Sequence, residues 1–257
     1  MKITEYKLKS KNLSKKIKIA LVSDVHDRPV DKIIGALKEI APDLIAIPGD
    51  LTTRLDLAEG ERAVNERGET VSHENAFLLL REASKIAPTY YSLGNHELCG
   101  HFYKRNFGNR ILPENFAKIK ESGAVFLDDG YIRVGDIVIG GLTSGMTNES
   151  LIPHTGWLEG FAAADGFKIL LCHHPEYYSK YLEKYKFDLV LSGHAHGGQI
   201  RLFGRGLYAP GQGIMPKYTA GVHDGRLVIG TGLCNTGGII PRLFNPREIV
   251  TVEIFPE

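Results

Sequence analysis

Apolar residues along this chain come in short blocks, some continuous and some alternating, separated by charged or Gly-rich connections. Residues 17–22 (Ile-Lys-Ile-Ala-Leu-Val) and 44–47 (Leu-Ile-Ala-Ile) read as central strands, apolar on both faces. Residues 3–8 alternate, as an edge strand should. Ile33, Ile34, Leu37 and Ile40 form one helical stripe, which predicts a helix from Asp31, the candidate cap, to about Ile40. Ala76, Phe77, Leu80, Ala83 and Ile86 predict a second helix over 73–86, followed by a short strand at 88–92. Strand, helix, strand, helix, strand in this order requires parallel strands with right-handed crossovers. The charged stretch 55–68 reads as a surface excursion.

The second half has a different texture. A helix near 114–122 leads into short strands around 124–127, 131–134, 137–141, 168–172, 188–191, 199–203, 226–230 and 248–254, with tight Gly-rich turns. This pattern predicts a second, mixed sheet packed face to face with the first, with helices covering the outside. No low-complexity linker divides the 257 residues, so a single domain over 1–257 is expected.

Composition narrows the function classes. Charge is balanced, 31 basic against 30 acidic residues, which gives no reason to expect specific nucleic-acid binding. Lys2, Lys7, Lys9, Lys11, Lys15, Lys16 and Lys18 nevertheless crowd the amino terminus. Lysines that protect a sheet edge explain them best; peripheral membrane contact is the competing explanation. Cys99, Cys172 and Cys234 are an odd, scattered set that favours a reducing compartment. With no signal core and no apolar run of membrane length, a cytoplasmic protein is expected.

The chemistry lies where strands run out. Asp24-Val25-His26, Gly49-Asp50, Gly94-Asn95-His96-Glu97, His173-His174 and Gly193-His194-Ala195-His196 each follow an apolar block. The carboxyl edge of a parallel sheet is where α/β proteins bind ligands. Oxygen and imidazole donors there, without thiolates, suit two hard or borderline divalent cations. Residues two apart on an extended segment share a side, so Asp24 with His26 and His194 with His196 can converge. Asp50, on its Gly49 hinge, can bridge two ions; capping a following turn is its plainer alternative. Asn95 is a neutral donor or else a turn residue. His96 cannot comfortably share an ion with its neighbour and is better placed beside the metals, protonating a leaving group or stabilising phosphoryl oxygens. His173, first past its strand, is the expected ligand, leaving His174 to line the pocket and contact substrate. Each run alone is a weak signal. Their joint occurrence predicts a dimetal site.

Taken together these runs resemble the calcineurin-like metallophosphoesterase superfamily, with its ordered blocks D-x-H, GD, GNH[DE], H and GHxH, over roughly residues 17–196. The resemblance implies a four-layer αββα sandwich of two mixed β-sheets flanked by helices. It also implies one metal held by Asp24, His26, Asp50 and His196, and another by Asp50, Asn95, His173 and His194. A metal-bridging hydroxide would be the nucleophile, assisted by His96. Gly193–Arg201, Tyr218–Gly221 and Pro241–Ile249 are similar to the bacterial YkuE/YaeI-like branch, which implies a phosphodiesterase whose substrates include lipid-linked esters.

Two divalent ions are the expected cofactors, Mn²⁺ foremost, with Fe, Zn²⁺, Co²⁺ and Ni²⁺ also suited to such donors. The expected substrate is a small phosphate ester. Phe203, Tyr208, Met215 and Tyr218 in loop 202–221, and Ile239, Ile240, Leu243 and Phe244 in loop 236–245, point to an apolar or lipid moiety on it. Plain packing or a dimer contact explains these loops equally well. Arg242 is a candidate to hold a phosphate oxygen, against a surface ion pair. A catalytically idle metal scaffold or partner-binding protein is the competing function, although it has no use for His96. A nucleotide-binding module is excluded because no Gly-rich loop opens a helix after the first strand.

Overall fold

Alternating side chains of the central strands feed separate cores, and this alternation stacks the elements in layers. The computed structural model describes residues 1–52, 55, 63–64, 70–71, 73–98, 111–145, 152–234 and 241–257. In chain order the two large sheets use β1 (Lys2–Ser10), β2 (Ile17–Leu21), β3 (Leu44–Ile47), β4 (Thr89–Tyr91), β5 (Val125–Phe126), β6 (Gly130–Val134), β7 (Ile137–Leu142), β8 (Phe167–Cys172), β9 (Leu189–Ser192), β10 (Gly221–His223), β11 (Leu227–Ile229) and β12 (Glu248–Pro256). The first sheet runs β1-β12-β2-β3-β4-β5, with β2 to β5 mutually parallel and β12 antiparallel to β2. The second runs β10-β11-β9-β8-β7-β6, parallel in the middle and antiparallel at both edges.

Ile19, Leu21, Ala46, Tyr90 and Val252 of the first sheet meet Ile139, Ile169, Leu171, Leu191 and Val228 of the second in one core. Their neighbours Ala20, Val22, Ile45, Ile47 and Tyr91 turn the other way, beneath α1 (Asp31–Ile40) and α2 (Glu74–Ile86). On the far side Val138, Leu170, Val190 and Leu227 pack under Phe161, Tyr178 and Phe187. The result is the expected four-layer sandwich. Its outer layers are unequal, however. Among the described residues the first sheet carries α1, α2 and α3 (Pro113–Glu121), whereas the second has only the six-residue α4 (Leu158–Ala163) and a π-helical turn, Tyr178–Leu182. Aromatic rings complete that layer, with Phe161 and Phe187 centred 4.8 Å apart.

Three local expectations change. Asp31 does not cap α1; Val30 holds the cap position, and Asp31 sits in the first turn, where its carboxylate faces the positive end of the helix. The strand expected at 199–203 shrinks to Arg201–Leu202, hairpinned to Arg205–Gly206, because Gln199 turns the chain at φ 57°. Most of 55–68 lies outside the described residues, but Leu55 is buried in the first core rather than on the surface. β1 is an edge strand as expected, exposing Lys2, Lys7 and Lys9. Among the described residues no helix is long and apolar enough to cross a membrane.

Candidate metal centre

β2, β3 and β4 of one sheet and β8 and β9 of the other deliver the five sequence runs to a common edge. Direct backbone bonds sew the first two together: the Val25 and His26 amides donate to the Asp50 carbonyl at 2.8 and 3.1 Å, and the Asp27 amide donates to that of Leu51 at 3.1 Å. The Gly193 amide joins the other two, donating to the His173 carbonyl at 3.1 Å.

Convergence is not achieved by strand alternation. Asp24, His26, Asp27, Asp50, His194 and His196 all have left-handed backbone, with φ between 44° and 64°. A non-Gly residue costs on the order of 1 kcal/mol there. These turns curl each loop so that Asp24 with His26, and His194 with His196, face one cleft. The expected residues do come together, by left-handed turns rather than by strand alternation.

The carboxylates are split in function. Asp24 Oδ1 accepts from the His194 amide and Asp50 Oδ1 from the His96 amide, both at 2.9 Å. Oδ2 of each is buried with no hydrogen-bond donor, as are His26 Nε2, Asn95 Oδ1, His194 Nε2 and both ring nitrogens of His173. His173 Nε2 lies 3.0 Å from Asp50 Oδ2, without hydrogen-bond alignment, and 3.9 Å from Asp24 Oδ1. His26 Nε2 lies 3.6 Å from Asp50 Oδ2, and His196 Nε2 lies 3.5 Å from Asp24 Oδ1. Donor atoms gather in overlapping sets small enough to hold an ion: Asp24, His26 and His196; Asp50, His173 and His194; and His26, Asp50 and His96. Buried polar atoms without partners are costly, and lone pairs aimed at one cleft fit divalent cations.

Charge in the cleft is arranged accordingly. Burial pushes His26, His194 and His196 below the ordinary imidazole range, and their imidazole neighbours push in the same direction. Burial pulls His173 down too, but Asp50, Asp24 and Glu97 outweigh it and hold it at about 9. Burial would raise Asp50, yet His173 and His96 keep it well below the usual carboxylate range.

Glu97 is the residue the sequence reading passed over. It is fully buried and accepts from the amides of Asp50 (2.9 Å), Leu51 (2.6 Å), Thr52 (3.2 Å) and Gly94 (2.8 Å) and from the Tyr91 hydroxyl (3.0 Å). It thereby clamps the Asp50 loop to the Gly94 loop. Glycine is required between them, since a Cβ on Gly94 would lie 2.2 Å from Asp50 Oδ1. The only sequence clue was its place at the end of a strand-end run.

Two nominated residues have other bonding partners. His174 is completely buried, bonded through Nδ1 to Ser144 Oγ at 2.9 Å and stacked on Tyr177, so it backs His194 instead of lining a substrate pocket. Arg242 donates to the carbonyls of Thr231, Cys234, Asn245 and Pro246 at 2.6–3.0 Å, which makes it a loop clamp rather than a surface ion pair, while its charge is felt at Asp24 and His196. His96 is partly exposed, with its ring edge-on to His26 at 4.4 Å. In the loops nominated for substrate, Tyr218 is buried and Phe203, Tyr208, Met215, Leu243 and Phe244 are exposed, while Ile239 and Ile240 lie outside the described residues.

Residues 17–198, which include every one of these donors, match the family model for calcineurin-like phosphoesterases. The chain belongs to the calcineurin-like phosphoesterase family. Among curated members, an uncharacterised metallophosphoesterase of Campylobacter jejuni is 28% identical over 95% of this chain and 60% of its own length. The uncharacterised metallophosphoesterase YkoQ of Bacillus subtilis is 26% identical over 72% of this chain and 63% of its own. This chain therefore spans less than two thirds of the length of either relative. A crystal structure of a metallophosphoesterase from Sphaerobacter thermophilus shares 15% identity at a TM-score of 0.39, covering 86% of this chain and 79% of that one.

Proposed function

We propose that the chain is a dimetal phosphoesterase acting on phosphodiesters. The observation that carries this is a pair of buried carboxylates in one cleft of imidazoles, Asp24 with Oδ1 3.5 Å from His196 Nε2 and Asp50 with Oδ2 3.0 Å from His173 Nε2. Asp24, His26, Asp50 and His196 would hold one divalent cation, and Asp50, Asn95, His173 and His194 the other, with Mn²⁺ the first candidate. When bound, such a pair neutralises phosphoryl charge and acidifies water. Depressed His26, His194 and His196 present neutral lone pairs at neutral pH. Asp50 supplies negative charge between the sets. His96, at the rim beside His26, is placed to give a proton to the leaving oxygen or to hold a phosphoryl oxygen.

Commitment of Arg242 to carbonyls favours a monoanionic diester, which has less need of an extra cation than a dianionic monoester. The likeness to the YkuE/YaeI branch supports the same choice. Cys172 and Cys234 are buried free thiols, consistent with a reducing compartment. After Mn²⁺ loading, bis-p-nitrophenyl phosphate should be hydrolysed faster than p-nitrophenyl phosphate, and Asp50→Ala should abolish both. Metal-loaded protein that turns over neither ester above the Asp50→Ala background would instead be an idle scaffold.

A further inference from the structure

We propose that the face carrying Phe203, Ile214, Met215 and Phe244 seats the protein on an anionic lipid bilayer. Phe203 is 105% exposed, Ile214 82%, Phe244 79% and Met215 57%, values unusual for large apolar side chains and concentrated in one region. Phe203, Met215 and Phe244 also have left-handed backbone, with φ of 50°, 53° and 52°. Turn positions of that kind favour Gly, Asn or Asp, so these residues oppose both their solvent and their local conformation.

Their segments are neighbours, Ile214 through its pairing with Tyr208. The Arg201 amide donates to the Leu243 carbonyl at 3.0 Å, the Leu207 amide to that of Ile200 at 2.9 Å, and the Met215 amide to that of Leu207 at 2.9 Å. Leu243–Phe244, the 200–203 segment, Leu207 and Met215 thus lie side by side. Their base rests on the metal loop: the Leu207 amide donates to the Gly198 carbonyl at 3.1 Å, and Asn245 Nδ2 to that of His196 at 2.6 Å.

Charge selects the occupant. Between Gly197 and Arg247 the exposed charges are Arg205, Lys217 and Arg247 against a single acid, Asp224, in a chain that is otherwise slightly acidic. Two residues past Phe244 in the chain, Pro246 and Arg247 join Lys2, Arg28 and Lys32, with Asp31, around a groove of about 860 Å³. A second copy on this face would bring like charges together, and a nucleic acid would stack on the Phe rings but leave the aliphatic Ile214 and Met215 tips without an apolar medium. An anionic bilayer satisfies both, with apolar tips in the acyl boundary and cations among the headgroups.

The test is flotation of the full chain with phosphatidylcholine vesicles, with and without one quarter phosphatidylglycerol. Binding is expected to the anionic vesicles and to be at least tenfold weaker to the neutral ones. Phe203→Ser with Phe244→Ser should lower partition about 100-fold, at roughly tenfold per ring. Arg205→Glu with Lys217→Glu should lower it about tenfold, as should high salt. Turnover of soluble bis-p-nitrophenyl phosphate should be unchanged in the Arg205→Glu, Lys217→Glu variant, so this test stands or falls apart from the phosphoesterase reading. Absence of flotation with anionic vesicles would overturn the proposal, as would undiminished binding by the Phe double variant. Light scattering that shows a dimer dissolved by the same double variant would assign the face to a second copy instead.

Discussion

Replacing Glu97 by Gln tests whether the metal loops are held in place by one buried carboxylate. Oε2 accepts from the Asp50 and Gly94 amides, and Oε1 from Leu51, Thr52 and Tyr91. Glutamine keeps one acceptor oxygen, and its best placement serves the Oε1 side. Its NH₂ group then meets the Asp50 and Gly94 amides, donor against donor. Two buried donors left unsatisfied cost about 2 kcal/mol each. Loss of the charge works the other way, because burial already pushes Glu97 above the usual carboxylate range. A net loss of about 3 kcal/mol is expected, equivalent to about 6–12 °C in Tm for a chain of this size. Calorimetry of the metal-free protein measures it, with exposed Glu121→Gln on α3 as the unaffected control. Metal retained through gel filtration should fall in parallel, since Asp50 loses its fixed position. A Tm within 2 °C of the unaltered protein, with full metal content, would refute the clamp.

Two further outcomes follow from the same geometry. His96→Ala should retain both metals while losing about 10²–10⁴-fold in kcat; loss of one metal equivalent would make His96 a ligand alongside His26 and Asp50. Metal loading at pH 7 should displace about one proton per chain, because His173 is held at about 9 while His26, His194 and His196 are already neutral. A raised imidazole keeps its proton below its pKa, so apparent metal affinity should climb about tenfold per pH unit up to about 9 and then level off. Calorimetry in buffers of different ionisation heat reads the proton count, and a release of three or more would contradict these assignments.

Much of the sandwich was legible because its central strands are buried on both faces. Residues 19–22 divide between two cores, and sequence shows that as an uninterrupted apolar block. The site runs were legible because Asp and His are expensive immediately after such blocks. α4 was not, since six residues carry less than two turns of periodicity. His174 and His173 are indistinguishable until the turn is known. The clamping bonds of Glu97 and Arg242 were not legible because their partners are backbone groups from loops far apart in the chain, and no spacing rule reports those.

The conformations that no pattern revealed are those that distinguish the site from its surroundings. Left-handed turns at Asp24, His26, Asp50, His194 and His196 are matched by specific internal bonds, such as the paired amides on the Asp50 carbonyl and the His194 amide on Asp24. The loops are thereby ordered before any ion arrives, which lowers the entropy lost on binding. Left-handed turns at Phe203, Met215 and Phe244 are different. Their side chains project into solvent, so the backbone cost is not matched by burial within this chain. Phe203 is held there by the tight turn that pairs Leu202 with Arg205, and Met215 by its amide bond to Leu207. What burial leaves unexplained is the side chains, which loops bonded directly to the His196 segment present to a surface able to take apolar tips and basic residues together.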